Sequence, residues 1–207
     1  MMRALDARRL EPLAMSLATT PSCATGPVPV VLPGEPAASA TVFGACPAKP
    51  DVVIPAMGLR LWVRLPPALF GGAASVIETA HAPGAGPPLH RHRETEVFRV
   101  LRGRYLMQVA QRQFEIGEGE IVHVPGGVAH AFVNIGSDEA RQLVLITPGM
   151  QADVFFRELA QRMAEGSVTS AALRDFGQRW NIEFLGPPLR ARAATGAPST
   201  VAGGRQP

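Results

Sequence analysis

Between residues 59 and 147 the chain runs in short alternating stretches, each closed by a turn rich in Gly, Pro or acidic residues. Leu59, Leu61, Val63 and Leu65 fall on one face and Arg60, Trp62 and Arg64 on the other, the two-residue period of a strand with one buried side. Similar runs occupy residues 75–80, 96–102, 105–109, 113–116, 121–124, 129–134 and 141–147, separated by the turns APGAGPP, RGR, GEGE, PGG and GSDE. Many short strands at near-regular spacing predict an all-β antiparallel sandwich or barrel. The 21 glycines and 20 prolines among 207 residues supply the turns such a fold needs. With only 18% charged residues, the chain is a poor candidate for a soluble coiled coil.

The flanks read differently. Residues 1–50 hold eight prolines and no sustained period, so they are expected to be extended or flexible, with one short strand near 28–32 or 41–43. After Pro148 the period turns helical, with Val154, Phe155, Leu159 and Met163 on an apolar stripe and a second helix starting near Ser170 as its N-cap. The segment NIEFLGPPL must leave in extended form. The expected organisation is a Pro-rich segment over 1–50, a barrel over 51–148, a helical extension over 149–189 and a disordered tail over 190–207. That tail carries Arg190, Arg192 and Arg205 without an acid, and accounts for the whole net charge of +3. The rest is neutral, which argues against a nucleic-acid partner. No run of 18 apolar residues predicts a membrane span, and the stretch LAMSLA is too short for a cleaved secretory signal. The expected location is the cytoplasm.

Two stretches carry chemistry. In GAGPPLHRHRETEVFRVLRG, Gly84, His90, His92, Glu96 and Gly103 stand at fixed offsets, and GEIVHVPGGVAHAFVN does the same for Gly119, Pro125, Gly127, His130 and Asn134. On a strand, residues two apart point the same way, so His90 and His92 lie side by side and Glu96 shares their parity. His130, on a later strand, can face them across a barrel. Three imidazoles and a carboxylate make a site for one divalent transition metal (Fe, Mn, Ni, Cu, Co or Zn) with positions left open for water or substrate.

These spacings resemble the two motifs of the cupin superfamily, G-x5-H-x-H-x3-E-x6-G and G-x5-P-x-G-x2-H-x3-N, at every fixed position. The resemblance implies a jelly-roll barrel with His90, His92, Glu96 and His130 as metal ligands. The segment after the barrel, with TPGM, FFREL and WNIEFLGPPL, resembles single-domain cupins related to quercetin 2,3-dioxygenase. That implies C-terminal helices after the barrel and a metal-dependent dioxygenase acting on a small aromatic or enol-type substrate with O2, with Glu96 as ligand and general base. Two alternatives stand beside it: a small-molecule binding or sensing cupin without turnover, and a metal-dependent isomerase. A homodimer is the assembly that the family implies.

Parity with the ligands selects Phe98, Val100, Tyr105, Met107 and Phe132 as the pocket lining, completed by Val144 and Ile146 or else by Leu143 and Leu145, an apolar wall suited to a hydrophobic substrate. Two histidines remain. His123 alternates with Val122 and Val124 and is expected at the surface, as is His81 at a strand end. Glu94 is expected at the rim, paired with Arg91 or Arg93.

Overall fold

The structure is a computed structural model that describes residues 28–31, 39–165 and 169–190. The chain divides into two units, residues 1–44 and 45–207. Within the first, β1 (Val28–Val31) and β2 (Ser39–Val42) pair antiparallel, Val28 opposite Val42. Both of the alternative strand positions read from the sequence are thus strands, and each is the other's partner. The remaining residues of 1–38, residues 166–168 and residues 191–207, which hold all of the expected tail but Arg190, lie outside the described residues.

The second unit holds two antiparallel sheets. Its strands are β3 (Val52–Ile54), β4 (Leu59–Leu65), β5 (Ser75–His81), β6 (Pro88–His92), β7 (Thr95–Arg102), β8 (Arg104–Val109), β9 (Arg112–Gly117), β10 (Ile121–Val124), β11 (His130–Asn134) and β12 (Ala140–Thr147), with β13 (Ile182–Pro188) after two helices. Six strands lie in the order β10-β7-β12-β5-β4-β3 and five in the order β13-β6-β11-β8-β9. From β5 to β13 the chain passes back and forth between the sheets, with only β8 and β9 consecutive in one of them, the connectivity of a jelly roll. Helices α1 (Ala152–Ala164) and α2 (Ser170–Arg179) follow, so the fold is all-β with C-terminal helices, as expected. No helix among the described residues is long and apolar enough to cross a membrane.

Alternation puts matching rows of side chains inside the barrel. One row across the six-stranded sheet reads Leu61, Thr79, Gln142, Val100; the next reads Val63, Ile77, Val144, Phe98; the next places Ser75, Ile146 and Glu96 in line. The sheets close over Leu61, Phe98, Val100, Tyr105, Met107 and Ile146, none more than 2% exposed. Between β7 and β8 the chain reverses at Gly103, where φ is +85° and a Cβ would lie 2.7 Å from that of Ala140. Only glycine meets both demands.

Three expectations need correction. The extended exit is strand β13, which pairs with β6 and places Ile182 opposite His92 and Phe184 opposite His90. The segment after the barrel therefore ends by rejoining it, because Ile182 and Phe184 find an apolar edge beside the ligand strand. On α1, Phe155 and Leu159 are buried at 5%, but Val154 points outward at 39%. Helix α2 is capped by Thr169, whose Oγ1 accepts from the Ala172 N–H at 3.1 Å, one residue before the expected Ser170.

Candidate metal centre

Strand β6 carries His90 and His92 on the face turned toward the barrel interior. Its neighbour β11 brings His130 directly opposite His90, with ring centroids 4.4 Å apart. One ligand atom from each of the three imidazoles lies within 4.8 Å of the others, a set able to hold a metal ion. Glu96 comes from β7 in the opposing sheet. Its Oε2 lies 2.9 Å from His130 Nε2 and 3.4 Å from His92 Nε2. The four residues read from the sequence are thus brought together, with the carboxylate in contact with two of the three rings.

Tautomers follow from the hydrogen bonds. A backbone carbonyl can only accept, so His90 Nδ1 donates to Pro88 O at 2.8 Å and His130 Nδ1 donates to Val128 O at 2.9 Å. Each neutral ring is left with a lone pair on Nε2. For His130 that lone pair faces an acidic oxygen at 2.9 Å. Two acceptors share such a space only around a cation, either a proton or a metal ion. The donor set therefore fits a divalent transition metal, with imidazole nitrogens and one carboxylate oxygen and no thiolate. His92 lacks such a backbone bond: its buried Nδ1 makes no hydrogen bond within the protein, and the nearest charge is Glu94 Oε2 at 3.3 Å. Glu94 Oε1 accepts from Arg93 Nε at 3.0 Å, so the expected rim pair forms while the same carboxylate backs a ligand.

Electrostatics agree. Burial pushes the His90 pKa down to about 3, helped by His130 and His92, so the ring stays neutral and ready to ligate. Burial alone would raise the Glu96 pKa, but hydrogen bonds from His130 and His92 outweigh it and hold the carboxyl well below its usual range. Burial also works to lower the His92 pKa, yet Glu96 and Glu94 together raise it.

The cluster opens on a cavity of about 560 Å³. Its roof comes from the helical segment, with Met150, Phe155, Phe156, Leu159 and Met163, and Phe184 of β13 adds to the wall. Of the expected lining only Ile146 reaches this space. Phe98, Phe132 and Val144 line a second, inner cavity of about 90 Å³, while Val100, Tyr105 and Met107 line neither and belong to the packed core. Parity gives the face a residue points to, but not its depth along the barrel. The roof escaped the sequence reading because helical periodicity shows an apolar stripe without showing what it covers.

His123 is exposed, as expected. His81 is not: it is 4% exposed, its Nδ1 is hydrogen-bonded with the Tyr105 hydroxyl at 3.0 Å, and it lines the inner cavity. The signal was present in β5, where Ile77, Thr79 and His81 share one face. The interior is also less apolar than expected, since Thr79 and Gln142 join His81 there.

Residues 78–146, which contain all four candidate ligands, match the family described as Cupin domain. Over 57 residues the chain is 39% identical to an uncharacterized protein of Streptomyces coelicolor, covering 28% of this chain and 53% of that one. Over 75 residues it is 33% identical to auxin-binding protein 1 of Arabidopsis thaliana, covering 32% of this chain and 38% of that one. The chain thus spans about half or less of the length of these two relatives. Among solved structures, the Schizosaccharomyces pombe Cnp3 cupin domain is similar with a TM-score of 0.44 and 18% identity, covering 58% of this chain and 86% of that one.

Proposed function

We propose that this cupin-domain chain is a metal-dependent dioxygenase for a small, largely apolar substrate that carries an enolic or phenolic hydroxyl. The observation that carries the reading is the placement of His90, His92 and Glu96 of the cluster in the wall of a 560 Å³ cavity that is otherwise apolar, with His130 just behind them. Among the described residues lining that cavity, no titratable side chain lies outside the cluster. An aromatic body is accommodated by Phe155, Phe156 and Phe184 and the thioethers of Met150 and Met163.

When bound, a divalent transition-metal ion supplies Lewis acidity that lowers the pKa of a substrate hydroxyl, and a redox centre for O2. His90, His92 and His130 would hold it through nitrogen. Glu96, held ionised, takes up the hydroxyl proton on a carboxylate oxygen. The apolar roof excludes water from the deprotonated substrate. Both atoms of O2 enter the product, so the four electrons come from the substrate and no external reductant is consumed.

The test is an oxygen electrode with flavonol-type substrates, run on protein whose metal content has been measured. Uptake that is abolished by a chelator, with both atoms of labelled O2 recovered in product, is the expected result. A second reading, a binding cupin without turnover, is favoured by a cavity wall in which the described residues place no acid–base group outside the cluster. Thermal stabilisation by the same compounds without oxygen uptake would select it. The isomerase alternative needs a second proton-carrying group, and the described lining offers none outside the cluster.

A further inference from the structure

Behind the metal centre, the inner cavity of about 90 Å³ presents a different chemistry. It shares with the outer cavity a wall that includes Met57, Ile77, Pro87 and Phe156, with His90 and Glu96 at the boundary. Deeper in, Thr79 and Gln142 stand directly opposite each other on β5 and β12. Gln142 is 0% exposed and Thr79 4%, yet neither amide atom of Gln142, nor Oγ1 of Thr79, has a hydrogen-bond partner. Leu61 and Val100 flank the pair in the same row and offer nothing polar.

A buried amide with both its donor and its acceptor unmet carries the full desolvation penalty of each. A barrel row could hold an apolar side chain there at no such cost. The two unpaired functions of Gln142, beside a hydroxyl that can give or take, are complementary to a group that both donates and accepts. No Lys or Arg lines this cavity among the described residues, and in the metal-free protein the ionised Glu96 at its boundary disfavours an anion. The volume corresponds to roughly three water molecules, or one group of three or four heavy atoms.

We propose that the inner cavity is a binding subsite for a compact, neutral group that both donates and accepts hydrogen bonds, such as a primary carboxamide, with Gln142 as its specificity-determining residue and Thr79 as its second contact. That this group is the head of a substrate whose apolar body fills the outer cavity rests on the dioxygenase reading; the chemistry of the subsite does not.

Acetamide is the probe, with acetate as the charged probe of equal size. Isotope-labelled, chelator-treated full-length protein is titrated with each under anaerobic conditions, following the Gln142 side-chain amide resonance. A saturable shift with acetamide, at least tenfold weaker with acetate, is expected. Gln142→Met removes two unpaired atoms and keeps the length of the side chain, so it should fold, and acetamide should then no longer perturb the neighbouring methyl resonances of Val100 and Val144. Thr79→Val should weaken acetamide binding severalfold and serves if the first variant fails to fold. No saturable response in the parent, or equal response to acetate, overturns the subsite, and so does acetamide binding that survives both substitutions. Because no step of this test consumes O2, a failed oxygen-uptake screen leaves it standing, and a failed titration leaves the dioxygenase reading standing.

Discussion

His81 and His90 are both inside the barrel and both held neutral, with pKa values pushed down to about 3, yet they do opposite things. His81 lies six residues along β5 from the row that holds Glu96. Burial alone depresses it, the Tyr105 hydroxyl meets its Nδ1, and it packs edge-on against Tyr105 and Phe132. His90 has its Nδ1 tied to its own backbone and sits among imidazoles that, with burial, lower its pKa further. The comparison teaches that a depressed histidine pKa does not mark a site. What marks it is the atom facing the second nitrogen: at the metal centre acceptors converge on one another, a geometry that asks for a cation.

The sharpest way to break this comparison is to remove one converging ring. His92→Ala is expected to lower metal affinity more than 100-fold, beyond the 10- to 100-fold typical of an outer-shell partner. Stability of the metal-free protein should change by less than about 1 kcal/mol, because Glu96 keeps its bond to His130 and the apolar core is untouched. Metal analysis after dialysis and a denaturant curve on chelator-treated protein check the two halves. Unfolding of the variant would place the cluster with His81, as structure and not site.

The complementary change removes a support at the other end. Asn134 is 0% exposed; its Nδ2 donates to His81 O at 2.9 Å and to Asp138 O at 2.8 Å, and its Oδ1 accepts from the Gly136 N–H at 2.8 Å. Asn134→Ala leaves those groups unmet and should cost about 2–3 kcal/mol in a urea titration. Metal stoichiometry should be unchanged. A loss of metal without a loss of stability would reverse the roles assigned to the two ends.

Acid separates them more gently. In metal-free protein His81 and His90 are neutral when folded, while the unfolded chain protonates near 6.5. Their folded pKa values are lowered, so the stability they contribute is fully present above about pH 6.5 and is lost as the pH falls toward 3, at about 1.4 kcal/mol per pH unit for each ring. His92 has a raised pKa and the opposite sign: its contribution is complete below 6.5 and is lost only above it. Glu96, whose folded pKa is lowered, adds its loss below the ordinary carboxyl value of about 4.5. His81→Gln should therefore remove about half of the slope between pH 4.5 and 6.5, read from urea midpoints on chelator-treated protein. An unchanged slope would mean that His81 gains a proton without opening the barrel.

How far the sequence carried this picture depends on the range of the interaction. Alternation is local, so β4, β7 and β10 were readable with their inward faces and β12 as a strand with two candidate faces, and the offsets among His90, His92, Glu96 and His130 named the cluster. Long-range pairing was not. β13 looked like an exit because only its register with β6 shows that Phe184 belongs beside His90. His81 looked like a surface residue because it stands at a strand end, just before a turn rich in Gly and Pro. In fact that turn is tied down: Ala82 N–H donates to Gly58 O at 2.9 Å, and Gly84 N–H donates to Asn134 O at 2.9 Å. The outer cavity was misread for the same reason, since α1 and not the strands supplies most of its apolar roof.

The smallest expected effect concerns how each ligand is aimed. His90 and His130 each donate Nδ1–H to the carbonyl two residues earlier, a constraint that no side-chain substitution removes. His92 departs from that pattern and has only the Glu94 carboxylate, 3.3 Å from its Nδ1, with Glu94 itself 10% exposed. Glu94→Gln keeps an oxygen in reach but removes the charge, so metal affinity should fall about tenfold, at the low end for an outer-shell partner. Glu94→Ala removes the oxygen as well and should fall further, toward 100-fold. The lost pair with Arg93, whose side chain is 74% exposed, should cost under about 0.5 kcal/mol of stability. Competition against a chromophoric chelator measures both variants. If both bind metal as the parent does, His92 is aimed by packing alone, and Glu94 returns to being a rim charge with no part in the centre.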